Sequence, residues 1–176
     1  VVCIDKIDIK NHIDNNSKSF RTTAFLEPSK KIFEEIGIWK EIEKYSCPMN
    51  SLKLVDTKLL NGHLTIEATK TFSNEGSNTL GWNIKNNDMI KALFEVAKKE
   101  KNISLFSNTT IEVFEINDEF VEITLSNKKQ FNAKLIVGSD GRDSFIRNEL
   151  NIKSTTKALG QNALTFGIQH EKSHNN

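Results

Sequence analysis

Cysteine is scarce in this chain: Cys3 and Cys47 are the only two, they form no CxxC pair, and no histidine pair accompanies them. That argues against a disulfide framework and against the usual zinc-site spacings. His12, His63, His170 and His174 are scattered and read as surface residues, so no metal is expected. An excess of one charge sign is lacking too. With 24 Lys and Arg against 23 Asp and Glu, the formal charge is +1. Such a balance offers a phosphate backbone no counter-charge, so no nucleic acid is expected as partner. Long hydrophobic runs are also absent. None approaches the roughly 20 residues needed to cross a bilayer, and no signal-peptide pattern is present, which makes a reduced, cytoplasmic setting the expectation.

What is there, 37% hydrophobic and 27% charged residues, suits one ordinary globular core with a solvated surface. The chain opens on Val1-Val2-Cys3-Ile4 with no methionine before it, as expected of a chain that begins inside a fold. Val1 to Asp5 reads as a buried strand and Asn11 to Ser19 as a loop. From Lys30 onward, Ile32, Phe33, Ile36, Trp39 and Ile42 recur at helical spacing, with Gly37 interrupting the pattern. Leu52 to Thr57 and His63 to Thr69 predict a hairpin around Asn61-Gly62. Asn86 to Asp88 offer N-caps to a helix with Met89, Ile90, Leu93, Val96 and Ala97 on its apolar face, and Lys98, Lys99 and Lys101 suit its C-terminal dipole.

Ile103 to Phe106, the alternating strands Thr110 to Ile116 and Phe120 to Leu125, and the apolar run Lys134 to Gly138 complete a mixed α/β pattern. The expected core is one sheet in which Val1 to Asp5, Ile103 to Phe106 and Leu135 to Gly138 are neighbouring parallel strands. The Met89 to Lys99 helix is expected to pack on that sheet.

The run Leu135-Ile136-Val137-Gly138-Ser139-Asp140-Gly141-Arg142-Asp143-Ser144-Phe145-Ile146-Arg147 carries the most chemistry. An apolar strand ending in small residues delivers Asp140 and Gly141 to the carboxyl edge of a sheet, where open α/β folds hold ligands. Gly138 and Gly141 let backbone approach a ligand, and Asp140 can accept hydrogen bonds from ribose hydroxyls. An Asp-Gly pair is equally the mark of an ordinary turn.

The whole string resembles the GADGxxSxVR motif of the flavin-dependent aromatic hydroxylases. Further landmarks resemble their ubiquinone-biosynthesis (UbiH/UbiF-like) branch: Arg21-Thr22-Thr23-Ala24-Phe25, Ser29, Ile36-Gly37-Ile38-Trp39, Cys47-Pro48-Met49, Gly81-Trp82-Asn83-Ile84-Lys85-Asn86, Gly160-Gln161-Asn162-Ala163-Leu164 and Glu171-Lys172-Ser173-His174-Asn175. Phe25, Ser139 and Leu159 depart from residues usual in that branch, the last bearing on substrate-side detail. The GxGxxG turn of the family would precede Val1, and its second Gly-Asp motif would follow Asn176.

The resemblance implies an α/β fold like that of para-hydroxybenzoate hydroxylase, a Rossmann-like FAD-binding domain interleaved with a β-rich substrate domain, incomplete at both ends. Residues 1–50 and 84–150 would belong to the FAD side, and 51–83 with 151–176 to the substrate side. The implied activity is hydroxylation of the aromatic ring of a polyprenyl phenol, using FAD, NADH or NADPH, and molecular oxygen, with the isolated chain inactive. Asp5 would bind the adenosine ribose, Arg21 the middle of the cofactor, and Asp140 with Gly141 the ribityl or pyrophosphate region, all converging on one crevice. Asn86 would lie against the flavin, although helix capping also explains an Asn there. No catalytic side chain is assigned, and Trp39 and Trp82 read as packing residues.

Peripheral association with the inner membrane or with a ubiquinone-biosynthesis complex is compatible with the resemblance. Two alternatives stand beside it: a non-catalytic fragment that binds no cofactor, and another flavoprotein chemistry of the superfamily (epoxidase, halogenase or prenyl reductase).

Overall fold

The computed structural model describes residues 1–15, 20–73, 76 and 79–172. Positions 16–19 of the expected loop, and Ser173, His174 and Asn175 of the last motif, lie outside the described residues. In chain order the elements are β1 (Val2–Ile4), α1 (Ile9–Asn15), β2 (Thr22–Leu26), α2 (Glu27–Glu35), α3 (Trp39–Glu43), β3 (Ser46–Met49), β4 (Ser51–Leu60), β5 (His63–Ser73), β6 (Gly81–Lys85), α4 (Asn86–Lys99), β7 (Ser104–Phe106), β8 (Ile111–Ile116), β9 (Val121–Leu125), β10 (Gln130–Ala133) and α5 (Phe145–Glu149). They form two compact units, Val1–Asn15 with Ala97–Leu164, and Asn16–Val96 with Thr165–Asn176.

In the first unit β1 pairs parallel with β7, Val2 opposite Ser104 and Ile4 opposite Phe106, as the sequence predicts. The strand is less buried than expected: Val2 and Cys3 are exposed, and Ile4 is the residue that reaches the core. The third parallel strand expected at Leu135 to Gly138 does not form. The chain just before it is used in β10, which folds back antiparallel on β9, and no described strand lies alongside 135–138 to take up its backbone groups. Only Ile136 of this run turns into the core, while Leu135 and Val137 are 75% and 71% exposed.

The sheet of three strands, ordered β10-β9-β8, carries the apolar face of this unit. Val121, Ile123 and Leu125 alternate inward along β9, and Ile4, Phe106, Ile111, Phe114, Phe131, Ala133 and Ile136 pack against them. Full burial of such a side chain stabilises by about 1.5–3 kcal/mol, and Leu125 is fully buried. Asn11 to Asn15, expected as loop, is helical in α1. Asp8 supplies the cap the composition obscured: its Oδ1 accepts from the Asn11 N–H at 3.1 Å, satisfying a donor the first turn leaves open.

In the second unit β6 lies between β2 and β3, antiparallel to both. Phe25, Trp39, Ile42, Ile84 and Ala92 form its core, with Phe33, Ile38, Trp82, Met89 and Leu93 packed around them. The apolar residues of α4 therefore pack with the antiparallel sheet β2-β6-β3. Trp39 and Trp82 meet edge to face at 5.4 Å, which gives both indoles a packing role. The hairpin β4–β5 forms as predicted around Asn61-Gly62, whose φ values of 51° and 80° suit a primed two-residue turn. It runs longer than the sequence suggested, and both its faces are exposed.

The single helix expected from Lys30 through Ile42 is two helices. At Gly37 the backbone turns to φ +78°, the Gly37 N–H donates to the Glu34 carbonyl at 3.0 Å, and the Ile38 N–H donates to the Phe33 carbonyl at 2.9 Å. This pair of bonds is the Schellman closure, which a residue with a Cβ resists. Gly37→Ala is expected to destabilise the fold by about 1–2 kcal/mol. The check is equilibrium urea unfolding, where a midpoint unchanged from the parent would show that the turn does not depend on glycine.

Candidate functional site

Arg21 and Asn86 are brought together by strand register. Thr22 of β2 pairs with Lys85 of β6, so the next residue outward on each strand faces the other. The Asn86 N–H donates to the Arg21 carbonyl at 3.0 Å. The Thr23 hydroxyl donates to Asn86 Oδ1 at 2.7 Å. Asn86 opens the 14-residue helix α4, but its side-chain oxygen is held by β2 and not by the amides of its own helix. The guanidinium of Arg21 is exposed and has no partner among the described residues. A fixed cation beside the N-terminus of a helix is a corner that favours acceptor-rich or anionic groups.

Asp5 stands where β1 ends. Its N–H donates to the Phe106 carbonyl at 2.8 Å, continuing the parallel ladder by one step. Its Oδ1 accepts from the Ile7 N–H at 2.8 Å, which turns the chain toward α1. The exposed carboxylate borders a hollow of about 120 Å³ lined by Cys3, Ile4, Asp5, Ile9, Leu105 and Phe106. The hollow lies at the carboxyl end of the parallel pair β1–β7, the edge at which open α/β sheets hold ligands.

Asp140 lies in the same unit, in a loop and not at the end of a strand. Both its oxygens are engaged by the start of α5. Oδ1 accepts a short hydrogen bond from the buried Ser144 hydroxyl, and Oδ2 accepts from the N–H groups of Phe145 at 2.6 Å and Ile146 at 3.3 Å. Ser144 in turn accepts from the Arg147 N–H at 3.1 Å. The Ser144 hydroxyl is the main cause that holds the Asp140 carboxyl below its ordinary value of 3.8, with partial burial opposing and backbone N–H groups assisting.

The glycines of the motif have separate reasons. A Cβ on Gly138 would stand 3.0 Å from Ile146 Cβ, so this glycine lets α5 approach the loop. Gly141 has φ +87° and open space where a side chain would point, so its requirement is conformational.

Thr23 and Ser144, the partners that hold Asn86 and Asp140, were not singled out from sequence. Ser144 stands at a fixed place in the motif, which was its only signal. Thr23 had none, since its partner is 63 residues away. Among the described residues no group of His, Cys, Asp and Glu could hold a metal ion, and no helix is long and apolar enough to cross a membrane.

Each unit thus carries its own polar feature: an exposed carboxylate beside a hollow at the end of a parallel pair in the first, and an exposed guanidinium beside a helix N-terminus in the second. Residues 6–174 match the FAD binding domain family. The chain belongs to that family. Among its relatives, the mitochondrial ubiquinone biosynthesis monooxygenase COQ6 of Dictyostelium discoideum is 28% identical over 93% of this chain and 36% of that protein. Ubiquinone hydroxylase UbiM of Neisseria meningitidis is 26% identical over 88% of this chain and 33% of its own length. The 3-demethoxyubiquinol 3-hydroxylase of Escherichia coli is 19% identical over 97% and 42%.

The first two relatives agree with the branch that the motifs resemble. The chain spans about a third of their length, 36% and 33% respectively. A crystal structure of a variant of P. aeruginosa PqsL shares the fold with a TM-score of 0.68 at 16% identity, covering 90% of this chain and 41% of that one. FqzB does so with a TM-score of 0.65 at 16% identity, covering 88% and 33%. The mixed α/β fold of this FAD binding domain family member is thus shared with PqsL and FqzB.

Because the folded Asp140 carboxyl is more acidic than a free one, the fold favours its ionised form. The associated stabilisation is present above the ordinary carboxylate range and is lost as pH falls through the lowered folded value. Carboxyl-carbon NMR titration is expected to place the Asp140 midpoint below 3.8, and Ser144→Ala is expected to move it upward. A midpoint at or above 3.8 in the parent protein would contradict the capped geometry.

Proposed function

We propose that this chain is the FAD-binding part of a monooxygenase that hydroxylates the aromatic ring of a polyprenyl phenol in ubiquinone biosynthesis, with NADH or NADPH as electron donor. The observation that carries the reading is similarity to ubiquinone-biosynthesis monooxygenases across 93% of the chain. Bound FAD supplies the electron transfer and oxygen activation that amino-acid side chains do not.

The residues of this chain bind and orient. Asp5 accepts hydrogen bonds from the adenosine ribose, and Arg21 neutralises the pyrophosphate or meets the ribityl oxygens. Asn86 lies against the flavin. The loop of Asp140 and Gly141 meets the ribityl or pyrophosphate region through a shape its own hydrogen bonds maintain. In this reading residues 1–50 and 84–150 serve the cofactor, and 51–83 with 151–176 face the substrate. The substrate's polyprenyl tail partitions into lipid, which favours peripheral contact of a cytoplasmic enzyme with the inner membrane, and association with a biosynthetic complex.

Restoration of ubiquinone in Escherichia coli lacking its 3-demethoxyubiquinol 3-hydroxylase, by the gene that carries this segment, tests the substrate class. No ubiquinone, together with no hydroxylated phenol from the purified flavoprotein, would reject it.

Two further outcomes follow from the residues. Arg21→Ala in the protein expressed from its complete gene is expected to weaken FAD binding about 10- to 100-fold, the loss of one charge-assisted contact. The melting temperature of the cofactor-free protein should change little, since the Arg21 side chain is exposed. Asp140→Ala is a less clean probe, because it also removes the cap of α5. The 176 residues themselves contain no GxGxxG turn. Purified alone they are expected to bind FAD weakly and to oxidise no NADH or NADPH, and stoichiometric yellow flavin on them would refute this.

A further inference from the structure

The polar end of β1 is tied to the turn that follows β7. The Asp5 N–H donates to the Phe106 carbonyl at 2.8 Å, the Thr109 N–H to the Asp5 carbonyl at 3.0 Å, and the Asn108 N–H to the Ile7 carbonyl at 3.1 Å. The Ile7 N–H in turn donates to Asp5 Oδ1 at 2.8 Å. One residue thus stands between the turn and the carboxylate: Ile7 is held at its carbonyl by Asn108 and holds Asp5 with its N–H. The Ile7 side chain is 43% exposed, so its place owes less to packing than to these two bonds.

The turn makes a demand on its backbone. Asn108 has φ +51°, in the left-handed region, and its side chain is exposed. Asparagine enters that region at lower cost than most residues that carry a Cβ. Thr109 beside it is buried, and its hydroxyl donates to the Ser107 carbonyl at 2.9 Å, which closes the turn on itself. The two strands so joined are the walls of the hollow, Cys3, Ile4 and Asp5 on one side and Leu105 and Phe106 on the other.

We propose that Asn108 is a positioning residue for Asp5. Its left-handed backbone directs the N–H groups of residues 108 and 109 to the end of β1, and through Ile7 it fixes the carboxylate at the rim of the hollow, where it meets the adenosine ribose of FAD. The inference rests on the reading of Asp5 as the ribose contact and adds to it the residue that sets the contact. A loosened turn releases Ile7 and leaves the carboxylate free to rotate, so that binding must then supply the ordering the fold now provides.

The test is titration of the cofactor-free protein expressed from its complete gene with FAD and, separately, with FMN, which carries the isoalloxazine, the ribityl chain and one phosphate but no adenosine. Flavin fluorescence reads both affinities, and melting temperatures are taken on the same samples. Asn108→Ala removes only an exposed side chain and leaves a Cβ in the left-handed region, and is expected to weaken FAD binding about 3- to 10-fold while FMN binding stays within about 2-fold. Asn108→Gly, which takes up that backbone freely, is expected to bind FAD within about 2-fold of the parent. Asp5→Ala should weaken FAD binding and spare FMN. In that background Asn108→Ala should cost nothing more, because the two residues act as one contact.

If Asp5→Ala leaves the FAD affinity unchanged, the ribose contact itself fails, and the inference with it. If Asp5→Ala weakens FAD binding but Asn108→Ala has no effect or adds to it in full, Asn108 does not position Asp5 while the contact stands. Loss of FMN affinity by the same factor as FAD, or an Asn108→Gly variant as weak as Asn108→Ala, would equally overturn the positioning role.

Discussion

Strand β6 is paired on both sides, by β2 and by β3, and the second unit depends on that double pairing. It fixes Ile84 in the core at 1% exposure and sets Trp82 against Trp39. The chain then passes without a loop from Lys85 into α4. A strand held at both edges cannot slip by one residue without turning its buried face outward. The register therefore decides that Arg21 faces Asn86 and that Thr23 can reach the Asn86 side chain. The meeting of Arg21, Thr23 and Asn86 is a consequence of sheet pairing.

The first unit holds its loop by another means. Its parallel pair is short, and the meander β8-β9-β10 supplies the apolar face against which Ile4, Phe106 and Ile136 pack. Beyond Ile136 the chain has no strand partner, so its shape is set by polar bonds from Asp140 to Ser144 and the first amides of α5. A carboxylate with three donors is already well satisfied. The loop's form is thereby held by the chain's own hydrogen bonds. The Asp of the motif is a structural group here as well as a candidate ligand contact, and the two roles share one side chain.

The exposure of the β4–β5 hairpin has a related origin. Its residues alternate and pair as strands should, with Thr57 opposite Ile66 and Leu59 opposite Leu64. Pairing of two strands satisfies the inner backbone groups but covers neither face. Local pattern is enough to make a hairpin, and layer packing, which belongs to tertiary structure, is needed to bury it.

The elements legible in the sequence were those whose cause is local. Asn61-Gly62 specifies a primed turn through its two positive φ values, and Met89, Leu93 and the lysines beyond them specify α4 through periodicity and dipole. The motif around Asp140 pointed to the family by resemblance, and its glycines answer to local constraints, the close approach of Ile146 and a left-handed turn. Gly37 was visible as a flaw in a helical pattern, but its closing of α2 depends on where Ile38 and Trp39 must point to enter the core. The short helix capped by Asp8, the strand β10 and the failure of 135–138 to pair could not be read from composition or alternation. Whether an apolar run becomes a strand depends on a partner brought alongside from elsewhere in the chain. Residue types and their spacing thus determined the hairpin and α4, while the motifs carried the resemblance that pointed to the family and to the candidate residues. Only tertiary structure decided which of those residues meet, because Thr23 and Asn86 are joined by strand register across 63 positions, and register is a property of the packed sheet.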